Sequence, residues 1–308
     1  GLGADSRVVE LASNDGYLLQ YVQHRGIPCL GIEPTRATAE AARARGIETL
    51  ERFFSLALAQ ELEPADLVVA NNVLAHVPDI NDFVAGIARL LKPQGRASIE
   101  FPHLLRLLTG NQFDTIYHEH YSYLSLKTVQ RIAAASGLEV ADVEQLPTHG
   151  GSLRVWLAHR GVTKPTAVVA AMLADERAAR LESLEAYGDF QRRAEAAKHA
   201  LLEFLLQAKK EGKRVLGYGA AAKGNTLLNY AGIRADLLTA VADCAPSKQG
   251  RYLPGSHIPV ISPEELAIQD TDALLVLPWN LISELRQQWP KHALVTAIPS
   301  LKCWSAES

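Results

Sequence analysis

Arg7-Val8-Val9-Glu10-Leu11-Ala12, then Ser13-Asn14-Asp15-Gly16, then Tyr17-Leu18-Leu19-Gln20-Tyr21-Val22, is the stretch on which the fold turns. An apolar, β-branched run reads as a buried strand, the small and polar residues as a tight turn, and the segment after them as a helix. A turn of this kind at the carboxyl end of a first strand lets a ligand approach the backbone closely. The next apolar run, Cys29-Leu30-Gly31-Ile32-Glu33, ends in an acid followed by Pro34. A carboxylate there can accept from both hydroxyls of a ribose, so turn and acid together describe a nucleoside site.

The same rhythm continues along the chain. Ala65-Asp66-Leu67-Val68-Val69-Ala70-Asn71-Asn72 reads as a strand ending in two amides, with His76 just beyond it. Phe83 to Leu91 reads as an amphipathic helix stopped by Lys92-Pro93-Gln94-Gly95, ahead of a strand over Arg96–Phe101. After that strand come a helix near Leu126–Ser136 and an antiparallel pair, Glu139–Gln145 and Ser152–Leu157, joined through His149-Gly150-Gly151. Phe53-Phe54 falls where an adenine ring would sit in such a sheet, with core packing nearly as good a reading.

Between the fifth strand and that helix lies Tyr117-His118-Glu119-His120-Tyr121. Two imidazoles, a carboxylate and two phenols in five residues are equipment for moving protons near neutral pH. A hydrogen-bonded patch of buried loop is the plain alternative. His118 and His120 would share one face of a strand, but no third ligand stands at suitable spacing, so no metal is expected.

From Lys164 to Glu211 the composition turns to Ala, Glu, Arg and Leu. Leu181, Leu184, Tyr187, Phe190, Ala194, Ala197, Leu201, Phe204 and Ala208 step by three or four, predicting one long amphipathic helix that ends at Gly212. Strands resume at Arg214–Gly219, Leu238–Asp243, Ala273–Leu277 and Leu294–Ile298, a second parallel sheet. Gly217-Tyr218-Gly219-Ala220-Ala221-Ala222-Lys223-Gly224-Asn225 is a glycine turn entering a helix, a start that suits a diphosphate, with Asp243 on the same edge.

The 308 residues suggest more than one core: an α/β domain over 1–161, a helical linker over 162–212 and a smaller α/β domain over 213–308. With 31 basic against 34 acidic residues, a net charge of −3 and no long basic run, a nucleic-acid partner is not expected. Hydrophobic content is 48% and mean hydropathy −0.01. No stretch has the length of a membrane span and the start lacks signal-peptide character, which makes the cytoplasm the expected location. Cys29, Cys244 and Cys303 are too few and scattered for a disulfide framework or a zinc knuckle.

The dinucleotide fingerprint G-x-G-x-x-G is absent. Glu10–Gly16 instead has the acid-then-glycine shape of methyltransferases that bind S-adenosylmethionine, and Ala65–Val77 with Leu90–Arg96 resembles the fourth and fifth strands of the class I fold. The resemblance is more specific than that. Residues 10–16, 31–34, 71–77, 117–125, 148–154 and 217–225 look like the sugar C-methyltransferases, nearly end to end. It implies a class I methyltransferase (Rossmann-like) domain, a helical linker and a second, smaller Rossmann-like domain. It implies S-adenosylmethionine as cofactor, held by Glu10, Ser13, Asn14, Gly16, Glu33, Pro34, Phe54, Asn71 and Asn72. It implies methylation of a carbon beside the ketone of a nucleotide-diphosphate ketodeoxysugar. His120 is then the candidate general base, with Tyr117, Glu119 and His76 around it. His149, Gly150, Lys223 and Asn225 are candidate acceptor-binding residues. Members of that family carry an amino-terminal cysteine-rich zinc domain, which is either removed or lacking here. A sugar O-methyltransferase, a non-catalytic nucleotide-sugar module and, last, a nicotinamide oxidoreductase are the competing readings. Oligomeric state is not legible.

Overall fold

A computed structural model describes residues 1–306. The chain divides into two compact units, the first made of residues 1–105 and 119–182, the second of 106–118 and 183–308. The helical stretch expected to be a linker is thereby shared, its first helix lying in one unit and its second in the other.

The first unit opens with β1 (Val8–Leu11), α1 (Leu19–Gln23), β2 (Cys29–Ile32), α2 (Arg36–Ala44), β3 (Thr49–Leu50) and α3 (Leu56–Glu61). It continues with β4 (Ala65–Asn71), α4 (Ile80–Leu90) and β5 (Leu91–Pro102); α5 (Leu104–Thr109) runs where the chain passes to the second unit. After residue 118 follow α6 (Leu126–Ala135), β6 (Leu138–Leu146), β7 (Ser152–His159) and α7 (Ala167–Ala178). The sheet order is β3-β2-β1-β4-β5-β7-β6, with β5, β7 and β6 joined antiparallel and the rest parallel. This is the class I methyltransferase sheet, as the motifs implied.

Alternation along the strands fills both faces. Val9, Val68 and Ala70 pack into one cluster with α4, α6 and α7, while Val8 and Val69 pack on the other side with Leu19, Ala42 and Ile47. In α4 the residues Phe83, Val84, Ile87 and Leu90 are buried at helical spacing, and the Asp79 carboxylate caps the helix by accepting from the Asp82 amide at 2.9 Å. Phe54 packs against this layer. Its ring stands edge-on to Phe83 at 5.4 Å, and a side chain at Gly86 would meet it at 2.9 Å.

Two expectations change. The segment Lys92-Pro93-Gln94-Gly95 does not end before a new strand; β5 begins at Leu91, and the pairing with β4 jumps from Ala65–Leu91 to Leu67–Arg96. The intervening residues form a bulge, which is where a proline without an N–H can be carried in a strand. The long helix is also broken. The α7 helix ends at Ala178, Arg180 takes a left-handed φ of 56°, and regular helix resumes only at Phe190. The stripe through Leu181, Leu184 and Tyr187 keeps the spacing without the continuous helix, and Leu184 is 88% exposed.

The second unit holds α8 (Phe190–Lys210), β8 (Val215–Tyr218), α9 (Ala222–Ala231), β9 (Val241–Ala242), β10 (Val260–Ile261) and α10 (Pro263–Ala267). It ends with β11 (Ala273–Val276), α11 (Ile282–Gln288), β12 (Ala293–Thr296) and β13 (Lys302–Trp304). The order is β10-β9-β8-β11-β12-β13, parallel except for β13, which pairs antiparallel with β12. α8 and α9 cover one face; Leu266 of α10 and Leu285 of α11 cover the other. Among the described residues no helix is long and apolar enough to cross a membrane.

Candidate functional site

In the first unit the carboxyl ends of β1, β2 and β4 lie side by side, and the sequence motifs fall on them. The turn after β1 needs left-handed backbone at Ala12, Asn14 and Gly16, with φ of 55°, 54° and 77°. A side chain on Gly16 would lie 2.9 Å from Ile47, so the turn is tight as well as left-handed. Ser13 is completely buried beneath it, against Gly31 of β2. Glu33 is what ties the turn to the next strand. Its Oε2 accepts from the Asn14 amide at 3.1 Å and its Oε1 from the Thr35 amide at 2.8 Å. Each oxygen keeps a lone pair for a further donor. Pro34 is half-buried between Glu33 and the start of α2.

The same edge carries acceptors without donors. Glu10 is 1% exposed, its Oε2 has no hydrogen-bond partner, and burial pushes its carboxyl up to about 8. The side-chain oxygens of Ser13, Asn71 and Asn72 are likewise buried without a partner. A site rich in carboxylates and bare amide oxygens suits a ligand that brings N–H, O–H and positive charge. S-adenosylmethionine, with an ammonium, a sulfonium and a ribose diol, has that chemistry. Glu10, Glu33, Asn71 and Asn72 are the residues whose oxygens could hold it. Ser13 is the seat of the turn. Phe54 is half-buried against Phe83, and the aromatic beside it, Phe53, is 83% exposed.

His76 ends the short 3-10 turn Leu74–His76 that follows β4. The carbonyl of Ala75 accepts from the amides of Tyr121 and Ser122 at 2.8 and 3.2 Å, which draws the loop carrying His120 to the same place. The two imidazoles stand edge to face with centroids 4.7 Å apart, and Tyr123 lies 6.0 Å from His120. Glu119 is exposed, on the loop that carries His120. Tyr117 and His118 belong by their contacts to the second unit. At the tip of the β6–β7 hairpin, His149 is exposed with φ 56° and Gly150 has φ 92°. Thr148 and Arg154 hold Glu100 of β5, donating to its two oxygens at 2.9 and 3.0 Å. Because Pro102 pairs with Ser152, this tip lies at the carboxyl end of β5.

The second unit repeats the acid-and-turn arrangement. Asp243 Oδ2 accepts from the Ala220 amide in the glycine turn at 2.8 Å, and Oδ1 accepts from Ala245 at 2.9 Å, as Glu33 does with Asn14 and Thr35. Lys248 Nζ reaches Asp243 Oδ2 at 3.1 Å. The ammonium of Lys223 does not simply project from the start of α9. It lies 4.8 Å over the Trp279 ring and 3.3 Å from Asn280 Oδ1, and burial pushes it down while Asp114 opposes the shift. Asp114 is 1% exposed, accepts from Trp279 Nε1 at 2.7 Å, and is pushed up to about 6 by burial. Asn225 has its side-chain oxygen buried without a partner. Sequence reasoning missed Glu100, Asp114 and Trp279 because each is defined by a partner far along the chain. Among the described residues no group of three or more His, Cys, Asp or Glu is placed to hold a metal.

Residues 2–143 match the family described as methyltransferase domain, and residues 147–297 match the C-methyltransferase C-terminal domain. The C-methyltransferase NovU of Streptomyces niveus is 36% identical over 318 residues, covering 100% of this chain and 76% of NovU. A shorter similarity, 27% over 93 residues, joins 29% of this chain to 37% of a ubiquinone biosynthesis O-methyltransferase of Bradyrhizobium diazoefficiens. Among solved structures, magnesium protoporphyrin IX methyltransferase from Synechocystis PCC 6803 with bound S-adenosylmethionine is 15% identical, with a TM-score of 0.40 over 51% of this chain and 71% of that one. With an acceptor-rich edge on a class I sheet and a match to a C-methyltransferase that runs along the whole of this chain, the chain belongs to the C-methyltransferase family and is an S-adenosylmethionine-dependent enzyme.

Proposed function

We propose that the enzyme methylates the carbon next to the ketone of a nucleotide-diphosphate ketodeoxysugar, with His120 as the general base. The observation that carries this reading is the 4.7 Å pairing of His120 with His76 at the strand edge that presents the cofactor acceptors. A hydrogen on a carbon beside a ketone is a weak acid. His120, as neutral imidazole, takes that proton while the C–H electron pair moves onto the ketone oxygen as an enolate. His76, close by, is assigned to donate to that oxygen or to orient His120. Glu119, the chain neighbour of His120, is assigned the remaining orienting contact. When bound, S-adenosylmethionine would supply the electrophilic methyl group for the enolate carbon, the pair of the broken methyl–sulfur bond staying on sulfur as a neutral thioether. His149 and Gly150 are assigned to the acceptor sugar. Lys223, Asn225 and the turn held by Asp243 are assigned to its nucleotide, and the enzyme is read as cytoplasmic.

Supplying a panel of nucleotide-linked ketosugars with methyl-labelled cofactor and locating the label by NMR tests the proposal. A new carbon–methyl bond beside the ketone supports it. Label found only on a hydroxyl oxygen makes the enzyme an O-methyltransferase, and the base then needs no enolate partner.

A further inference from the structure

The most completely satisfied buried carboxylate of the first unit, Glu176 of α7, belongs to no part of the site described above. Glu176 is 3% exposed. Its Oε1 accepts from the Leu126 amide at 2.6 Å and faces His103 Nε2 at 2.8 Å, and its Oε2 accepts from the Lys127 amide at 3.0 Å. Burial alone would raise its carboxyl; the bonds from His103, Lys127 and Leu126 outweigh this and hold it below the usual range. The two amides open α6, so the charge also sits at the positive end of a helix. An apolar side chain could fill the volume, but only an acceptor with several lone pairs satisfies three converging donors.

His103 is the other half of the device. It directly follows β5, is 2% exposed, and has its Nδ1 buried without a partner. Its amide donates to the Gly151 carbonyl at 3.0 Å, it bridges to Leu124, and the next amide, Leu104, donates to the Leu124 carbonyl at 2.9 Å. The segment from Glu119 to Leu124 is therefore strung between two anchors. One is the Ala75 carbonyl beside His76, and the other is Leu124, fixed by His103 and by the helix start that Glu176 holds.

We infer that Glu176 and His103 are a positioning pair for the methyl-transfer chemistry, setting the second anchor of the loop that carries His120 and so the His120–His76 geometry. The inference rests on reading His120 as the base. Neither residue touches the reacting atoms.

The test uses the whole chain and four variants: Glu176→Ala, Glu176→Gln, His103→Leu and His103→Gln. Glu176→Ala and His103→Leu are expected to lower kcat by roughly 10- to 100-fold, the scale of a small misplacement of a catalytic group, while calorimetric affinity for S-adenosylmethionine stays within about twofold. His103→Gln keeps a side-chain N–H donor for Glu176 and should restore most of the rate. Glu176→Gln, which keeps the volume and one acceptor oxygen but turns an NH₂ toward an amide, should fall between and serves if the alanine variant does not fold. Independently of turnover, NMR signals of the His120 and His76 rings should shift or broaden in the Glu176 variants, and the ring of His257, in the second unit, should not. Unchanged rings and unchanged kcat would overturn the inference, as would equal losses in His103→Leu and His103→Gln or a parallel collapse of cofactor affinity. Retained turnover in His120→Ala would overturn the base assignment separately, and the ring spectra would still decide whether the pair positions the loop.

Discussion

Glu10 is a residue kept in a place that costs stability. Its carboxyl is raised from 4.5 to about 8 in the folded protein by burial, with no donor to offset it at Oε2. A raised acid binds more protons folded than unfolded. Its contribution is therefore most favourable below about pH 4.5 and declines as pH rises toward about 8. Glu10→Gln should stabilise the cofactor-free protein at pH 8 by on the order of 1–3 kcal/mol, net of burying an amide, and change it little at pH 5. Denaturant unfolding at the two pH values checks this; an identical pH slope in variant and parent would refute it. The same variant should bind S-adenosylmethionine more weakly. Glu33 behaves differently, since its two oxygens already accept backbone amides. Glu33→Ala removes those bonds together with the acceptor proposed for the ribose, and should weaken S-adenosylmethionine by about 1–3 kcal/mol in a calorimetric titration. Unchanged affinity would move the ribose elsewhere.

At the scale of the element, the strands were legible because their apolar runs are short, β-branched and bounded by small or polar turns. What local pattern could not show was decided by partners. Lys92-Pro93-Gln94-Gly95 has the composition of a stop, yet the chain stays in β5 because the extra residues bulge out of the ladder. The stripe before Phe190 has helical spacing, yet the chain breaks at Arg180. Phe54 could be assigned to adenine or to core from sequence; its half-buried ring packs edge-on against the distant Phe83. His76 and His120, 44 positions apart in the sequence, were both legible as candidates, but their pairing depends on the Ala75 carbonyl receiving two amides of the distant loop. The turn after β1 offers a direct check on the element as a whole. Gly16→Ala places a side chain at φ 77° and 2.9 Å from Ile47. It should cost about 1–3 kcal/mol in stability, as overpacking does, and lower cofactor affinity in the same protein. Thermal unfolding and titration together measure both effects.

At the scale of the whole molecule, two α/β units were readable from two separate rhythms of strand and helix. The membership of residues 106–118 in the second unit was not. It rests on Asn111 donating to the carbonyls of Arg193 and Pro299, Phe113 against Tyr230, and Asp114 under Trp279. None of these leaves a local signature. The acid-and-turn arrangement recurs at Asp243, which supports the proposal that the second unit holds the nucleotide of the acceptor. Lys223→Ala is accordingly expected to raise the KM for the nucleotide-linked sugar several-fold and leave S-adenosylmethionine affinity unchanged. Steady-state kinetics with calorimetry checks it, and the reverse pattern would assign the second unit to the cofactor.

The central claim is that His120 removes a carbon-bound proton, and solvent exchange measures that step without the methyl transfer. The acceptor ketosugar and a non-reactive cofactor analogue are incubated with the enzyme in deuterated water, and the hydrogen beside the ketone is followed by NMR. Exchange should occur with the parent enzyme and fall by about 10²- to 10⁴-fold or more in His120→Ala, together with turnover. Exchange and turnover near the parent rate in His120→Ala would contradict the account and pass the role of base to His76 or Tyr117.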